Sequence, residues 1–356
     1  MDISTCRPEE LSSAEVAAWH RLQLSCATLD NAFLSARFAM IVGRSRNDTR
    51  VAVVRDGDQP VAFLAFHLRR FGLARALALG ISDAQAVVCP PNFAFDPIDL
   101  LSSVGIGVWD FDHLVGNLAA FAAFDYYTAN APVMDVTKGY EAYMQQDDRA
   151  SHRLVRSTLQ KRRKLAREQG ALEFVFESPD RAALATLISW KSAQYKRNGR
   201  FDRFSRPWIA QVVEEMAWCD DPLCRGTLST LRAGGRLVAA HLGIRTPTRL
   251  SLWFPAYDPE LGPYSPGLQL FLFMAEAAAS QGMHLLDLGV GHETFKHSLA
   301  SWYYPVSCGR VQTRALSGLA NHLTRGPARR VDHFLAGHPH FRGCLPGSLS
   351  GTDRVS

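Results

Sequence analysis

The sequence has no long apolar run. Its most apolar stretch, Leu268–Ala279, contains Gln269 and Glu276 and is too short and too polar to span a bilayer. The seven cysteines are scattered without a framework spacing, which excludes a disulfide-stapled scaffold and fits reduced thiols. The first ten residues are polar and acidic, with neither a basic segment nor an apolar one. A secretory leader is therefore not expected, and a cytoplasmic protein is. His333, His338, His340 and Cys344 match no zinc spacing, so no metal is expected. Apolar residues at 47% and charged residues at 21% exclude a disordered chain and a fibrous repeat.

What is present is enough chain for two domains. The 356 residues suit two units of roughly 150–200 residues, or one large unit with a tail. The net charge of +5 is unevenly spread. Residues 151–170 carry +6, the tail from Val311 carries +4, and the remainder sums to −5. An acidic body with two basic patches suggests a localised anionic partner, such as phosphates on a cofactor, RNA or a lipid surface. A nucleic-acid-coating role, and with it a DNA partner, is not expected.

Strand and helix signals alternate throughout. Arg50–Arg55 and Pro60–Arg69 flank Asp56-Gly57-Asp58, a hairpin signal. Gly107–His113 and Pro132–Val136 read as strands, and Asp96–Val104 as a short helix. Arg149–Gln169 reads as a helix with Leu154, Val155, Thr158, Leu159 and Leu165 on one face. Arg162 alone among its basic residues falls in that apolar stripe, and it is expected to point inward to a carboxylate or a bound phosphate. Pro179–Asn198 and Pro207–Trp218 follow as helices. Three β-runs, Cys224–Arg232, Arg236–Thr246 and Thr248–Tyr257, form a meander around Ala233-Gly234-Gly235 and Thr246-Pro247-Thr248. A loop, Asp258–Gly267, leads to a helix over Leu268–Gln281. A strand at His284–Leu288, a short helix at Glu293–Ala300 and a strand at Tyr304–Thr313 complete the pattern. The fold class is a mixed α/β sheet.

Pro255 in the third β-run removes a ladder donor. A strand that stops pairing midway parts from its neighbour and leaves a cleft. Tyr264-Ser265-Pro266-Gly267 delivers the chain to a helix start. Ser265 suits the N-cap and Pro266 the first helical position, and a helix start with Gly267 can also receive an anion. His241 lies among small residues on one strand face and has the pKa of a general base; the alternative is an ordinary core histidine. Asp287 precedes a Gly-Val-Gly turn and must be paired, either to orient a base or to tie down the turn. Glu293 and Lys296 sit one helical turn apart, and Lys296 can balance a phosphate or an oxyanion. Trp190, Lys191, Gln194 and Tyr195 share a helix face suited to an acceptor or to the core. Trp253 and Tyr257 share a strand face.

The runs Trp253-Phe-Pro-Ala-Tyr-Asp-Pro259, Tyr264-Ser-Pro-Gly267 and Leu286-Asp-Leu-Gly-Val-Gly-His-Glu-Thr-Phe-Lys296 resemble the CelD/BcsL-like acetyltransferases of the GNAT superfamily. Gly235-Arg-Leu-Val-Ala-Ala-His241, Trp190-Lys-Ser-Ala-Gln-Tyr195, Leu79-Gly-Ile-Ser-Asp83 and Trp109-Asp-Phe-Asp-His113 fit the same pattern. The resemblance covers roughly residues 20–310 and extends to the tandem FemABX transferases. It implies two GNAT-like repeats: residues 1–148 on the acceptor side and 149–315 on the acyl-CoA side, with a basic junction helix at 149–169 and a flexible tail at 316–356. It implies an acetyl-CoA or other acyl-CoA donor held by Phe254, Tyr257, Tyr264, Ser265, Gly267 and Arg162. The acceptor, a small molecule or an exopolysaccharide precursor, would meet Asp83, Trp190, Lys191, Tyr195, Trp253 and Glu293. His241, Asp287 and Lys296 would be catalytic, acting in direct attack of an amine or hydroxyl on the thioester. Polysaccharide-synthesis proteins are implied partners. A FemABX-like transferase using aminoacyl-tRNA, or a non-catalytic component of a polysaccharide-synthesis complex, is the alternative.

Overall fold

The computed structural model describes residues 1–145, 149–291 and 293–313, with only the backbone described at 149–152. The expected tail, with its histidines and Cys344, lies outside them, as does His292. In chain order the strands are β1 (Asp2–Cys6), β2 (Thr49–Asp56), β3 (Gln59–Leu68), β4 (Leu73–Ala76), β5 (Val108–Leu114) and β6 (Asp125–Asp135). They continue as β7 (Leu172–Val175), β8 (Asp220–Asp221), β9 (Cys224–Ala233), β10 (Arg236–Arg245), β11 (Arg249–Tyr257), β12 (Leu285–Asp287) and β13 (Trp302–Gln312). The helices are α1 (Ser13–Leu24), α2 (Ala36–Ser45), α3 (Pro97–Ser103), α4 (Leu118–Phe121), α5 (Tyr140–Met144) and α6 (Arg149–Gln169). They continue as α7 (Arg181–Arg197), α8 (Pro207–Ala217), α9 (Pro266–Ser280) and α10 (Thr294–Leu299).

The strands join in one mixed sheet of order β1-β2-β3-β4-β5-β13-β6-β12-β11-β10-β9-β7, with β8 beside β9. Each half runs as an antiparallel meander that ends in one parallel pairing, β4 with β5 in the first and β11 with β12 in the second. The closing strand of each half crosses over. β13 pairs with β5, β6 pairs with β12, and β6 and β13 pair with each other. Non-local pairing over this length makes the two halves one hydrogen-bonded body.

Local chemistry explains most elements. The β9–β10 turn uses Gly234 and Gly235, both at positive φ, as a two-residue hairpin turn requires. Asp96 and Asp180 cap α3 and α7 by accepting backbone N–H bonds. In α6, Thr158 and Leu165 are buried, on the stripe the sequence marks. Ser265 departs from expectation. It sits at φ +53, away from the extended backbone of an ordinary N-cap, and makes no side-chain cap; Lys161 Nζ donates to its hydroxyl at 2.8 Å.

Alternation divides the second half's core. Ala240, Leu242 and Phe254 face α7, α8 and α2, whereas Leu231, Ala239, Leu250 and Leu252 face α6 and α9. The β11–β12 pairing is short: Arg249 with Leu285, Leu250 with Leu286 and Ser251 with Asp287. Beyond Ser251, β11 pairs with β10 alone. A buried ion pair pins the point where the strands part. Arg249 donates to Asp287 Oδ2 at 2.8 Å, Tyr304 donates to the same oxygen at 2.6 Å, and Gly289 N donates to Oδ1 at 3.0 Å. Removing one partner strands a buried charge. Arg249→Ala is expected to lower the unfolding free energy by about 3–5 kcal/mol, measured by urea denaturation; a loss under about 1 kcal/mol, the surface-pair range, would mean that this pair does not pin the sheet.

Candidate functional site

Where β11 leaves β12 the sheet opens into a cavity of ≈ 480 Å³. The part of β11 beyond its pairing with β12, Leu252–Tyr257, forms one wall, and the chain after β12, with Leu288, Val290 and Lys296, forms another. One end reaches Ser265 and Gly267 at the start of α9. The other reaches Asp83 from the first half and Lys191 and Tyr195 from α7. The cavity therefore passes from one face of the sheet to the other. It is mostly apolar along β11 and charged at the α7 end, the usual character of a site for a small organic molecule.

Tertiary contacts place Asp83. Trp253 Nε1 donates to the Ile81 carbonyl at 2.6 Å, which locks the loop bearing Asp83 against β11. Ser82 is buried and donates to the Ala84 carbonyl at 2.8 Å. Gly289, at φ +65, comes so close that a Cβ there would lie 3.3 Å from Asp83 Oδ2. Burial lifts the Asp83 carboxyl above the ordinary range, with Asp287 adding to it, against the pull of His113, Lys296 and Arg203. Burial, reinforced by Lys296, Arg203 and Arg200 and opposed by Glu293, lowers the Lys191 amine to about 8. Its Nζ stands 5.5 Å from the centre of the Tyr195 ring. Burial alone would raise Glu293, but Lys296, Arg200 and Lys191 outweigh it and hold the carboxyl below its ordinary value. Lys296 Nζ lies 3.6 Å from Glu293 and donates to the Gly289 and Val290 carbonyls at 3.3 and 3.4 Å.

Ten of the fifteen residues assigned from the sequence to catalysis, donor or acceptor thus line one cavity. They are Asp83, Lys191, Tyr195, Trp253 and Phe254, with Tyr257, Ser265, Gly267, Glu293 and Lys296. Five others lie elsewhere. His241 is fully buried beside Phe271, at 6.2 Å between ring centres, and among the described residues neither ring nitrogen has a partner. It pairs with Pro255 on the face toward α9, whereas Asp287 pairs with Ser251 on the opposite face. Asp287 therefore does not orient His241; Arg249, Tyr304 and Gly289 occupy it. Tyr264 turns outward and donates to Glu168 at 2.7 Å. Arg162 points inward, but onto the Phe273 ring at 4.7 Å rather than onto a carboxylate. Trp190 packs against the core from the α7 side and borders a separate groove with Tyr257 and Pro259.

Four contributors escaped the sequence reading. Arg249 had a signal, being a charge in an apolar strand that needs a buried partner. Lys161 was one of seven basic residues in its window, and nothing local set it apart. Arg200 and Arg203, in the loop after α7, enter the cavity only because that loop folds back over Tyr195.

Desolvation lowers His241 from 6.5 to about 3, with a further push from Lys191. Between these values the unfolded chain binds the proton and the folded one does not, so stability falls as pH falls through that window. From pH 7 to pH 5 the native protein is expected to lose about 2 kcal/mol relative to His241→Leu, measured by denaturant unfolding of both; parallel pH profiles would refute this. Lys191 is expected to react with an amine-selective reagent with a midpoint near pH 8, a phase missing in Lys191→Arg and read by peptide mass spectrometry.

Comparisons with known proteins agree with this geometry. Residues 153–297 match the family model Acetyltransf_6, described as an acetyltransferase (GNAT) domain. No curated protein matches the chain. Among solved structures, FemX superposes with a TM-score of 0.54 at 10% identity, covering 91% of this chain and 100% of that one. The C-terminal domain of a putative lysylphosphatidylglycerol synthetase from Agrobacterium fabrum gives 0.53 at 14% identity, covering 87% and 95%. L-PGS from Bacillus licheniformis gives 0.50 at 12% identity, covering 90% and 97%. At these identities the likeness concerns the fold. With a GNAT domain matched at 153–297 and the same strand pattern in both halves, the chain has a tandem GNAT-like fold.

Proposed function

We propose that the protein is an acyl-CoA-dependent acyltransferase whose acceptor binds between the two halves. The observation that carries this reading is the cavity through the parted strands. It joins the start of α9 to a charged pocket built by Asp83, Lys191 and Glu293. A thioester donor suits that shape. The α9 start, with Gly267 in the wall and Lys161 beside Ser265, offers backbone N–H groups and a cation to phosphates. Phe254 and Tyr257 flank the path along β11. Backbone N–H groups on the unpaired edge of β11 would polarise the acyl carbonyl.

The base is reassigned. His241, held near 3 and outside the cavity wall, is a weak base with no route to an acceptor. Asp83 lines the cavity and burial raises its pKa, which makes it a stronger base for removing a proton from an ammonium before attack or from a hydroxyl during it. The amine or hydroxyl forms the new bond to the acyl carbon, Asp83 takes its proton, and the thiolate departs. An exopolysaccharide precursor is the acceptor suggested by the CelD/BcsL-like resemblance, with polysaccharide-synthesis proteins as partners. Among the described residues no helix is long and apolar enough to cross a membrane.

A second reading, transfer from aminoacyl-tRNA, is favoured by the exposed basic face of α6, with Arg153, Arg156, Arg163 and Arg167. Isothermal titration separates the two. Acetyl-CoA binding that weakens in Lys161→Ala supports the first; no heat with acetyl-CoA, alongside strongly salt-dependent tRNA binding, selects the second. Asp83→Asn is expected to lower kcat about 10²–10⁴-fold with acetyl-CoA affinity unchanged. Full turnover in this variant would remove Asp83 as the base.

A further inference from the structure

The α7 end of the cavity holds more positive charge than the protein neutralises. Lys191, Lys296, Arg200 and Arg203 line it, against Asp83 and Glu293. Lys296 is committed to Glu293 at 3.6 Å and to two backbone carbonyls. Lys191 and Arg203 instead sit against the Tyr195 ring, at 5.5 and 6.0 Å from its centre. The Arg200 backbone N–H bonds to the Tyr195 carbonyl at 2.9 Å. Among the described residues no carboxylate bonds to the side chains of Lys191, Arg200 or Arg203. The acid between the two arginines faces away: Asp202 binds Ser192, caps Phe204 N at 3.1 Å and lies 3.5 Å from Lys196.

Several other arginines of the second half do meet acids. Arg225 meets Asp220, Arg232 meets Asp180, Arg236 meets Asp258 and Glu260, and Arg245 meets Glu177. In this cavity Lys191 and Arg203 share one ring, and Arg200 lines the same wall. Their mutual repulsion is relieved when an anion enters, and an arginine fork binds carboxylate or phosphate through two parallel hydrogen bonds.

We propose that the acceptor carries, besides its nucleophile, an anionic group, carboxylate or phosphate, held by Arg200, Arg203 and Lys191. This rests on the acyltransfer reading for the word acceptor; the anion site itself does not. The donor's phosphates do not account for these cations. The start of α9 and Lys161 belong to the elements packed on one face of the sheet, and α7 with its following loop to those on the other. The anionic group would anchor one end of the acceptor at the arginine loop and leave its nucleophile beside Asp83.

The test uses the full chain and two probes, inorganic phosphate and succinate, titrated calorimetrically with and without saturating CoA. At least one probe is expected to bind at about millimolar affinity. That affinity should drop about 10-fold or more in Arg200→Gln and in Arg200→Ala/Arg203→Ala, stay unchanged in Lys161→Ala, and persist with CoA bound. The stronger probe identifies the anionic group. Absence of binding by both probes at about 10 mM, competition with CoA, or loss in Lys161→Ala would overturn the proposal. Turnover then compares glucosamine 6-phosphate with glucosamine, and glycine with glycinamide, using acetyl-CoA. Preference for an anionic member of a pair that disappears in Arg200→Gln supports it, and equal use of both members in both pairs counts against it. If the probes bind at the arginines but acetyl-CoA gives no heat, the acyl-CoA reading fails and the anion site stands.

Discussion

The site exists because β11 and β12 pair over only three residues and then part. Parallel strands that separate expose backbone groups, and the opening must be held at a fixed place. The buried Arg249–Asp287 pair does this, with Tyr304 and Gly289 N completing the coordination of the carboxylate. A hydrophobic pair could pack as tightly but would not set a direction. The Asp287 carboxylate draws in a guanidinium from β11, a phenol from β13 and the Gly289 amide of the next turn. It thereby fixes the two walls of the cavity relative to each other.

Tyr304 also connects this pin to the exchange of strands between the halves. It sits on β13, which crosses to lie between β5 and β6. The loop that carries Asp83 belongs to the first half, and the indole of Trp253 in the second half locks it. The cavity thus draws its α9 end from one half and Asp83 from the other. The continuous sheet keeps these contributions in register. The cavity holds a carboxylate raised by burial and an amine lowered to about 8, with Arg200 and Arg203 bonded to no carboxylate among the described residues. Such groups are retained where a ligand uses them.

Much of this was legible in the chain. The basic helix, the β9–β10–β11 meander and its Gly234-Gly235 turn follow from periodicity and turn chemistry, which act over a few residues. Pro255 correctly marked the strand that parts from its neighbour. Asp83 was singled out through motif resemblance alone, and Lys191, Trp253, Gly267 and Glu293 through local spacing as well; the five lie in five separate stretches and line one cavity. Residues whose surroundings depend on distant partners were misjudged. His241 read as a base because small residues flank it, yet α9 covers it and among the described residues no polar partner reaches either nitrogen. Arg162 needed a partner and found a ring. Ser265 read as an N-cap, but its backbone is left-handed and its hydroxyl accepts from Lys161, over a hundred residues away.

The sequence by itself determined the alternation of strands and helices, which strand parts from its neighbour, and the concentration of charge at the junction of the halves. These depend on backbone geometry and side-chain period, which neighbours in sequence decide. Only the tertiary structure decided which titratable groups share a cavity. It put Asp83 into the cavity, left His241 outside it and made Asp287 part of a structural pin. It brought Arg200 and Arg203 into the pocket. Burial and Coulomb interactions set protonation and pairing, and both depend on distances between segments that the chain order does not contain.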